Sequence, residues 1–261
     1  GYLEELKFEV PVDFPNAQSI IVIAIFTRLM YVTFHCEGQS YELRMPPQYY
    51  DDGISEASIR ATVQTIIREP GHRVEPASNV FLKLLAVHSG LGRYGRNNLC
   101  YVEGMGSFLT LHAYFTDHRF GEDTWSELAM MERCNDCRIC LGLCPFGCIG
   151  EEHFVIDAGR CLTLYNEIPG EFPEWIGGEA HNALMGCMRC QLPCPANRDA
   201  IKKTGRLEEV SEEETQAILQ GIPDEAVLDS LSRKLRRFCP ASSPEQFPIF
   251  TRNLKALLAL D

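Results

Sequence analysis

Apolar positions along this chain follow two different periods, and the change from one to the other divides it into parts. Ser19 to Phe26 (SIIVIAIF) is a continuous β-branched run after a turn-like Asp-Phe-Pro-Asn, the pattern of a strand buried on both faces. Met30 to Cys36 alternates and continues the strand signal, whereas Tyr41 to Pro47 is polar and ends in proline, which predicts a loop. Ser55 to Arg68 places Ile59, Val63, Ile66 and Ile67 at helical spacing behind serine caps, and Val80 to Val87 reads as a second helix stopped by Gly90. Asn98 to Val102 and Ser107 to Phe115 alternate around a Gly104/Gly106 turn and predict paired strands. The order of strand, helices and strands predicts a mixed α/β domain over residues 1–125. A cysteine-rich domain over 126–200 follows. A helical C-terminal segment over 201–261 has an acidic turn at Glu212–Glu214, a helix near Glu225–Phe238 and an amphipathic end from Phe250 to Leu260. No low-complexity linker separates these parts, so they are expected to pack as one α+β body.

Composition narrows the setting. No window approaches twenty apolar residues, which predicts no membrane span. The chain starts at Gly1 and shows no secretory leader pattern, and with twelve cysteines in 261 residues that favours a reducing, cytoplasmic setting and metal thiolates over disulfides. Lys and Arg total 24 against 36 Asp and Glu, a net charge of −12. An acid excess argues against nucleic acid as a partner, because phosphate contacts need clustered basic side chains.

The chemistry is concentrated in the cysteines. The first run, Cys134, Cys137, Cys140, Cys144-Pro145, has the C-x-x-C-x-x-C-x-x-x-C-P spacing of bacterial ferredoxins, and the second is Cys187, Cys190, Cys194-Pro195. Two cubane 4Fe–4S clusters need eight thiolates. In two-cluster ferredoxins the fourth cysteine of a run ligates the other cluster, so Cys134, Cys137, Cys140 and Cys194 are assigned to one cluster. Cys144, Cys187 and Cys190 go to the other, and Cys161, alone between the runs, fills the remaining position. A structural zinc site would use the same Cys-x-x-Cys pairs but leaves the eight-fold count and both Cys-Pro dipeptides unexplained. Cys148 is read as a small residue in a packed turn, and Cys36, Cys100 and Cys239 as core residues without partners at ligand spacing.

Gly90-Leu-Gly92-Arg-Tyr-Gly95 matches the dinucleotide fingerprint in letters only, since it follows a predicted helix rather than a strand. Together with Ser89–Asn98 (SGLGRYGRNN), the segments Gly106–Phe108 (GSF) and Phe115–Asp117 (FTD) and the cysteine layout resemble the core shared by epoxyqueuosine reductases and corrinoid-dependent reductive dehalogenases, over roughly residues 15–200. The resemblance implies a nitroreductase-like α/β domain holding a cobalamin, followed by a bacterial-ferredoxin-like double-cluster domain. It implies that Gly90, Gly92, Gly95, Arg96 and Asn97 lie beside the organic cofactor, with Arg96 in the position of the family's active-site cation. Where epoxyqueuosine reductases carry an aspartate proton donor in a V-D-x-G-P-like stretch, this chain has Val74-Glu75-Pro76-Ala77, which makes Glu75 a longer candidate acid. Tyr94, Tyr49 and Tyr50 are further candidate proton donors. The helical-repeat extension of some tRNA-acting members and a twin-arginine leader are not seen.

The expectation is therefore an iron–sulfur oxidoreductase that passes electrons from ferredoxin or flavodoxin through two 4Fe–4S clusters to a cobalamin, which reduces a small-molecule substrate. The alternatives are an electron-transfer or activation protein that reduces a corrinoid partner protein, a reductase of the tRNA epoxyqueuosine type, and a version of the same domain that holds FMN.

Overall fold

The computed structural model describes residues 10–78, 80–121, 125–221 and 223–259; the side chains of Cys239 and Ser242, and the N-terminal residues in which a leader was sought, lie outside that description. Strand β1 (Ser19–Phe26) runs antiparallel to β7 (Leu109–Thr116), with Ser19 opposite Thr116 and Phe26 opposite Leu109. The short β4 (Val74–Pro76) pairs with the other side of β7, giving the order β1-β7-β4. β1 is therefore an edge strand. It is half-buried along its length: Ile21, Ile23 and Ile25 pack on the Ile59 and Val63 cluster and Val22 on Leu85 and Ala113, so both faces are partly covered and the open edge leaves the rest accessible.

A second sheet has the order β3-β2-β8, in which β8 is the short strand Gly205–Arg206. β2 (Met30–Cys36) and β3 (Gln39–Met45) form a hairpin whose turn places Glu37 and Gly38 at φ 52° and 70°. The loop expected over Tyr41 to Pro47 is thus mostly strand. Its polar residues Glu42 and Arg44 alternate with Tyr41, Leu43 and Met45, which pack on the core, so the period of two outweighs the polar composition. β5 (Arg93–Tyr94) and β6 (Cys100–Tyr101) make a third, two-stranded sheet. The strands on either side of Gly104 and Gly106 do not pair with each other as expected: β6 turns back to β5, and β7 is drawn to β1. The turn itself is real, with both glycines at positive φ.

Helix α1 (Glu56–Ile66) is capped by Ser55, whose Oγ accepts from Ser58 N at 3.2 Å, and buries Ile59 and Val63 against β4 and β7. α2 (Leu82–His88) starts two residues later than its apolar run and ends at Gly90, φ 78°. α3 (Ile139–Leu143) and α4 (Leu162–Glu167) lie in the cysteine segment. The acidic stretch Glu212–Glu214 is not a turn but the first turn of α5 (Glu212–Gln220). Ser211 and Glu214 form a capping box there, and carboxylates suit the positive end of a helix. α6 (Glu225–Lys234) ends before Arg236 and Arg237, both at positive φ, and α7 (Cys239–Ser242) leads into α8 (Phe247–Leu258).

α8 carries a stripe at Phe247, Phe250, Leu254 and Leu258 that packs on Phe34, Val32 and Met45 of the second sheet. Phe250 meets Phe34, Phe238 and Phe247 edge-on at centroid distances of 6.2, 5.3 and 5.8 Å. The main core thus joins residues from 30–45 with residues from 210–258. Among the described residues no helix is long and apolar enough to cross a membrane.

Candidate iron–sulfur centre

The cysteine segment has little regular structure, and its shape comes from short turns and side-chain bridges. Cys134 ends a 3-10 turn, Cys137 and Cys140 flank the start of α3, and Cys144 closes that helix. Cys161 caps α4, while Cys194 precedes the 3-10 turn Pro195–Asn197. Cys134, Cys137, Cys140 and Cys194 converge closely enough for their charges to oppose one another. Burial first, then that repulsion, pushes the Cys140 thiol up to about 11 and raises Cys134. On the other side Cys144, Cys161, Cys187 and Cys190 form a second neighbourhood, in which burial lifts Cys190 to about 12 and raises Cys187. Enclosed sulfurs that resist ionising together form a donor set that a soft cation or cluster would compensate.

Cys148 is buried, and its Sγ lies 3.3 Å from that of Cys144; it also bonds Cys161. The Cys148 hydrogen bond is the largest cause that lowers Cys144 and Cys161, while Cys148 itself is held as a thiol.

Arg96 is 2% exposed and faces the first cysteine run. Its Nη2 donates to the Cys134 carbonyl and its Nε to the Cys137 carbonyl at 3.4 Å. Its Nη1 is buried without a hydrogen-bond partner, which fits an acceptor such as a cluster sulfide on that side. Asn97 donates to Tyr101 Oη at 3.0 Å and bonds Cys190, and Tyr101 Oη donates to Cys194 Sγ at 3.4 Å. Asn182 Nδ2 reaches Cys187 Sγ at 3.4 Å. These groups orient the sulfurs from outside.

The remaining expected residues are dispersed. Glu75 is held by Arg60 at 2.6 Å and Arg73 at 3.0 Å on β4. Tyr94 is buried and stacks on Phe154 at 4.4 Å. Gly92 and Gly95 make room for this chain's own side chains: a Cβ on Gly92 would lie 2.6 Å from Cys100 Sγ, and one on Gly95 2.4 Å from the Tyr101 ring. The space beside Gly92 and Gly95 is therefore taken by Cys100 and Tyr101.

A cavity of about 400 Å³ opens beside Cys187, with Tyr49, Lys83, Ser107, Thr163 and Gln191 in its wall. Tyr49 Oη donates to Glu167, and burial raises both groups above their usual ranges. Lys83 Nζ donates to Asn98 Oδ1 at 2.7 Å, and burial lowers its pKa. Glu167 and Lys83 carry no motif, so only their meeting in the fold reveals them. Tyr50 packs half-buried on the main core, its Oη on the Arg28 carbonyl at 2.7 Å.

Residues 133–197 match the 4Fe-4S double cluster binding domain. Over 115 residues, 44% of this chain, the sequence is 36% identical to epoxyqueuosine reductase of Escherichia coli. The structure aligns with epoxyqueuosine reductase of Streptococcus thermophilus at a TM-score of 0.68 and 18% identity, over 98% of this chain and 68% of that one. Over these stretches the chain is similar to the epoxyqueuosine reductases, in the double cluster domain and in the fold. The match spans 29% of the length of the Escherichia coli protein. A further structural neighbour (TM-score 0.64, 19% identity, 94% of this chain and 65% of that one) is an epoxyqueuosine reductase with an epoxyqueuosine-modified tRNA-Tyr stem loop. That finding overturns the exclusion of nucleic acid drawn from net charge. Charge summed over a chain says little about one face of it, and a nucleic-acid partner meets a local field.

Proposed function

We propose that this chain is an iron–sulfur reductase of the epoxyqueuosine type, acting on an epoxide-bearing modified nucleoside within tRNA. The observation that carries this reading is the cavity at Cys187, where a proton-holding pair, Tyr49 and Glu167, lies beside the second sulfur neighbourhood. The similar epoxyqueuosine reductases give the substrate class. Removing an epoxide oxygen as water consumes two electrons and two protons and leaves an alkene.

Cys134, Cys137, Cys140 and Cys194 would hold one cubane, and Cys144, Cys161, Cys187 and Cys190 the other; when bound, each supplies one electron at a time. Arg96 fixes the first cysteine loop through two carbonyls and directs a third N–H inward. Asn182 and Cys148 stabilise the thiolates of Cys187, Cys144 and Cys161 by donating to them. Burial raises Glu167 above the usual carboxylate range, and Tyr49 Oη, which donates to it, would pass a proton between Glu167 and a leaving oxygen in the cavity. Lys83, with its pKa lowered, stands opposite as a donor to the same developing charge.

The test is anaerobic reconstitution, assay for about eight iron per chain, and reduction with dithionite in the presence of tRNA carrying epoxyqueuosine. Nucleoside mass spectrometry is expected to show loss of one oxygen. Full cluster content and full reduction with no conversion would overturn the substrate assignment; four iron or fewer would overturn the two-cluster assignment.

A further inference from the structure

On the far side of the first sheet, two imidazoles and a carboxylate converge at the end of β7. Glu69 and His72 lie in the connection between α1 and β4, and His118 lies two residues past the end of β7. One ligand atom from each lies within 4.8 Å of the other two. His72 Nε2 is 3.3 Å from His118 Nδ1 and 3.5 Å from Glu69 Oε2. The opposite nitrogen, His72 Nδ1, is 2.9 Å from Asp117 Oδ1, which also accepts from Arg73 N at 3.0 Å. A carboxylate can only accept, so Nδ1 carries the proton, and in the neutral ring the Nε2 lone pair is aimed at His118 and Glu69. In that state a single cation can satisfy all three donor atoms together.

We propose that Glu69, His72 and His118 form a site for a divalent transition metal of the zinc class, oriented by Asp117. Zinc bonds of about 2.0–2.1 Å at tetrahedral angles set neighbouring donors about 3.3–3.4 Å apart. Both measured separations from His72 lie near that edge length. A proton could serve one of these pairs; a metal ion serves all three donors. A carboxylate behind a ligating imidazole is the usual way its tautomer and ring orientation are fixed, and Asp117 stands in that position. Glu69 is 75% exposed and free to swing onto the ion, which leaves a fourth position open to water. No cysteine takes part, so the site is separate from the cluster residues. A bound ion would staple the α1–β4 connection to the end of β7, the central strand of the first sheet.

Cysteines also bind zinc, so the experiment uses protein already loaded with its iron. Zinc chloride is titrated by calorimetry into this protein and into His118→Ala and Glu69→Gln, and the wild-type complex is examined by zinc K-edge X-ray absorption. The expected result is one zinc per chain, a nitrogen and oxygen shell with imidazole scattering, loss of that equivalent in His118→Ala and weaker binding in Glu69→Gln. Asp117→Asn is expected to weaken binding about 10–100-fold, the range for a partner behind a metal ligand. No zinc uptake, equal uptake by wild type and both ligand variants, or a sulfur shell near 2.3 Å would overturn the assignment.

Discussion

Replacing Asn197 with alanine tests how the cysteine segment is fastened to the α/β body. Asn197 is fully buried. Its Oδ1 accepts from Ser107 N at 2.8 Å, and its Nδ2 donates to Ser107 Oγ at 2.9 Å and to the Gln191 carbonyl at 2.9 Å. Ser107 Oγ in turn donates to Gln191 Oε1 at 3.1 Å. One side chain thereby ties the Gly104–Gly106 turn to both the Cys187–Cys194 run and its own 3-10 turn. Each net hydrogen bond contributes about 1 kcal/mol, and alanine also leaves a buried N–H and a buried carbonyl unpaired. The loss is about 3 kcal/mol, roughly a hundredfold in the equilibrium for opening that contact. The assay is the rate at which iron-loaded protein surrenders iron to a ferrous chelator under anaerobic conditions, where release follows the open population. Asn197→Ala is expected to release iron about a hundred times faster. A rate within threefold of wild type, with an unchanged melting curve, would refute the claim that this side chain holds the two parts together.

Gly106→Ala acts on the same joint from the other side. Its Cβ would lie 2.2 Å from Asn197 Oδ1 and 3.0 Å from the Ala196 carbonyl, at φ 61°, so soluble yield and iron content are both expected to fall. Cys161→Ala is expected to hold about four iron per chain in place of eight, whereas Cys148→Ala keeps about eight. Loss of the Cys148 hydrogen bond, about 1 kcal/mol, lowers the potential of one cluster by about 40 mV for one electron, read by redox titration with paramagnetic resonance. Burial holds the Glu167 carboxyl above the usual range. The folded chain therefore binds more protons than the unfolded one between the ordinary and the raised value, and stability falls as pH rises through that window. Glu167→Gln is expected to flatten that fall in urea midpoints and to cut turnover about 10²–10⁴-fold.

The cysteine spacing made the double cluster domain legible before any coordinates, because ligation to a cubane imposes a register that survives outside regular structure. The helices near 55–68 and 80–88 were legible for the same reason that α8 was: apolar stripes at helical period. β3 was hidden because Glu42 and Arg44 dominate its composition while the pleat lets them face outward. The separation of β6 from β7 was hidden because pairing is decided by which distant strand, β1, offers the better apolar register. Lys83 in the cavity wall and Glu167 behind Tyr49 bear no local signature, and Asn197 acquires its role only by meeting Ser107, ninety positions away. Arg96 was singled out by its loop, but the surrounding carbonyls, which sequence does not locate, turn it toward the cysteines. Net charge misled because it carries no spatial information.

The return of the chain at β8 (Gly205–Arg206) has a consequence for synthesis. β8 lies parallel to β2, with Met30 opposite Gly205, and the core over β2 and β3 is completed by α5, α6 and α8. A ribosome has therefore made every cysteine of both runs before the residues that cover Phe34 and Met45 exist. Arg252 and Asn253 on α8 then reach back to the carbonyls of Tyr165, Asn166 and Leu184, between Cys161 and Cys187. α8 thus covers the second sheet and fastens the segment between the two cysteine runs at once. A fragment cut near residue 200 would lack α5, α6 and α8, and with them both the cover over Phe34 and Met45 and the side chains that hold the segment between Cys161 and Cys187.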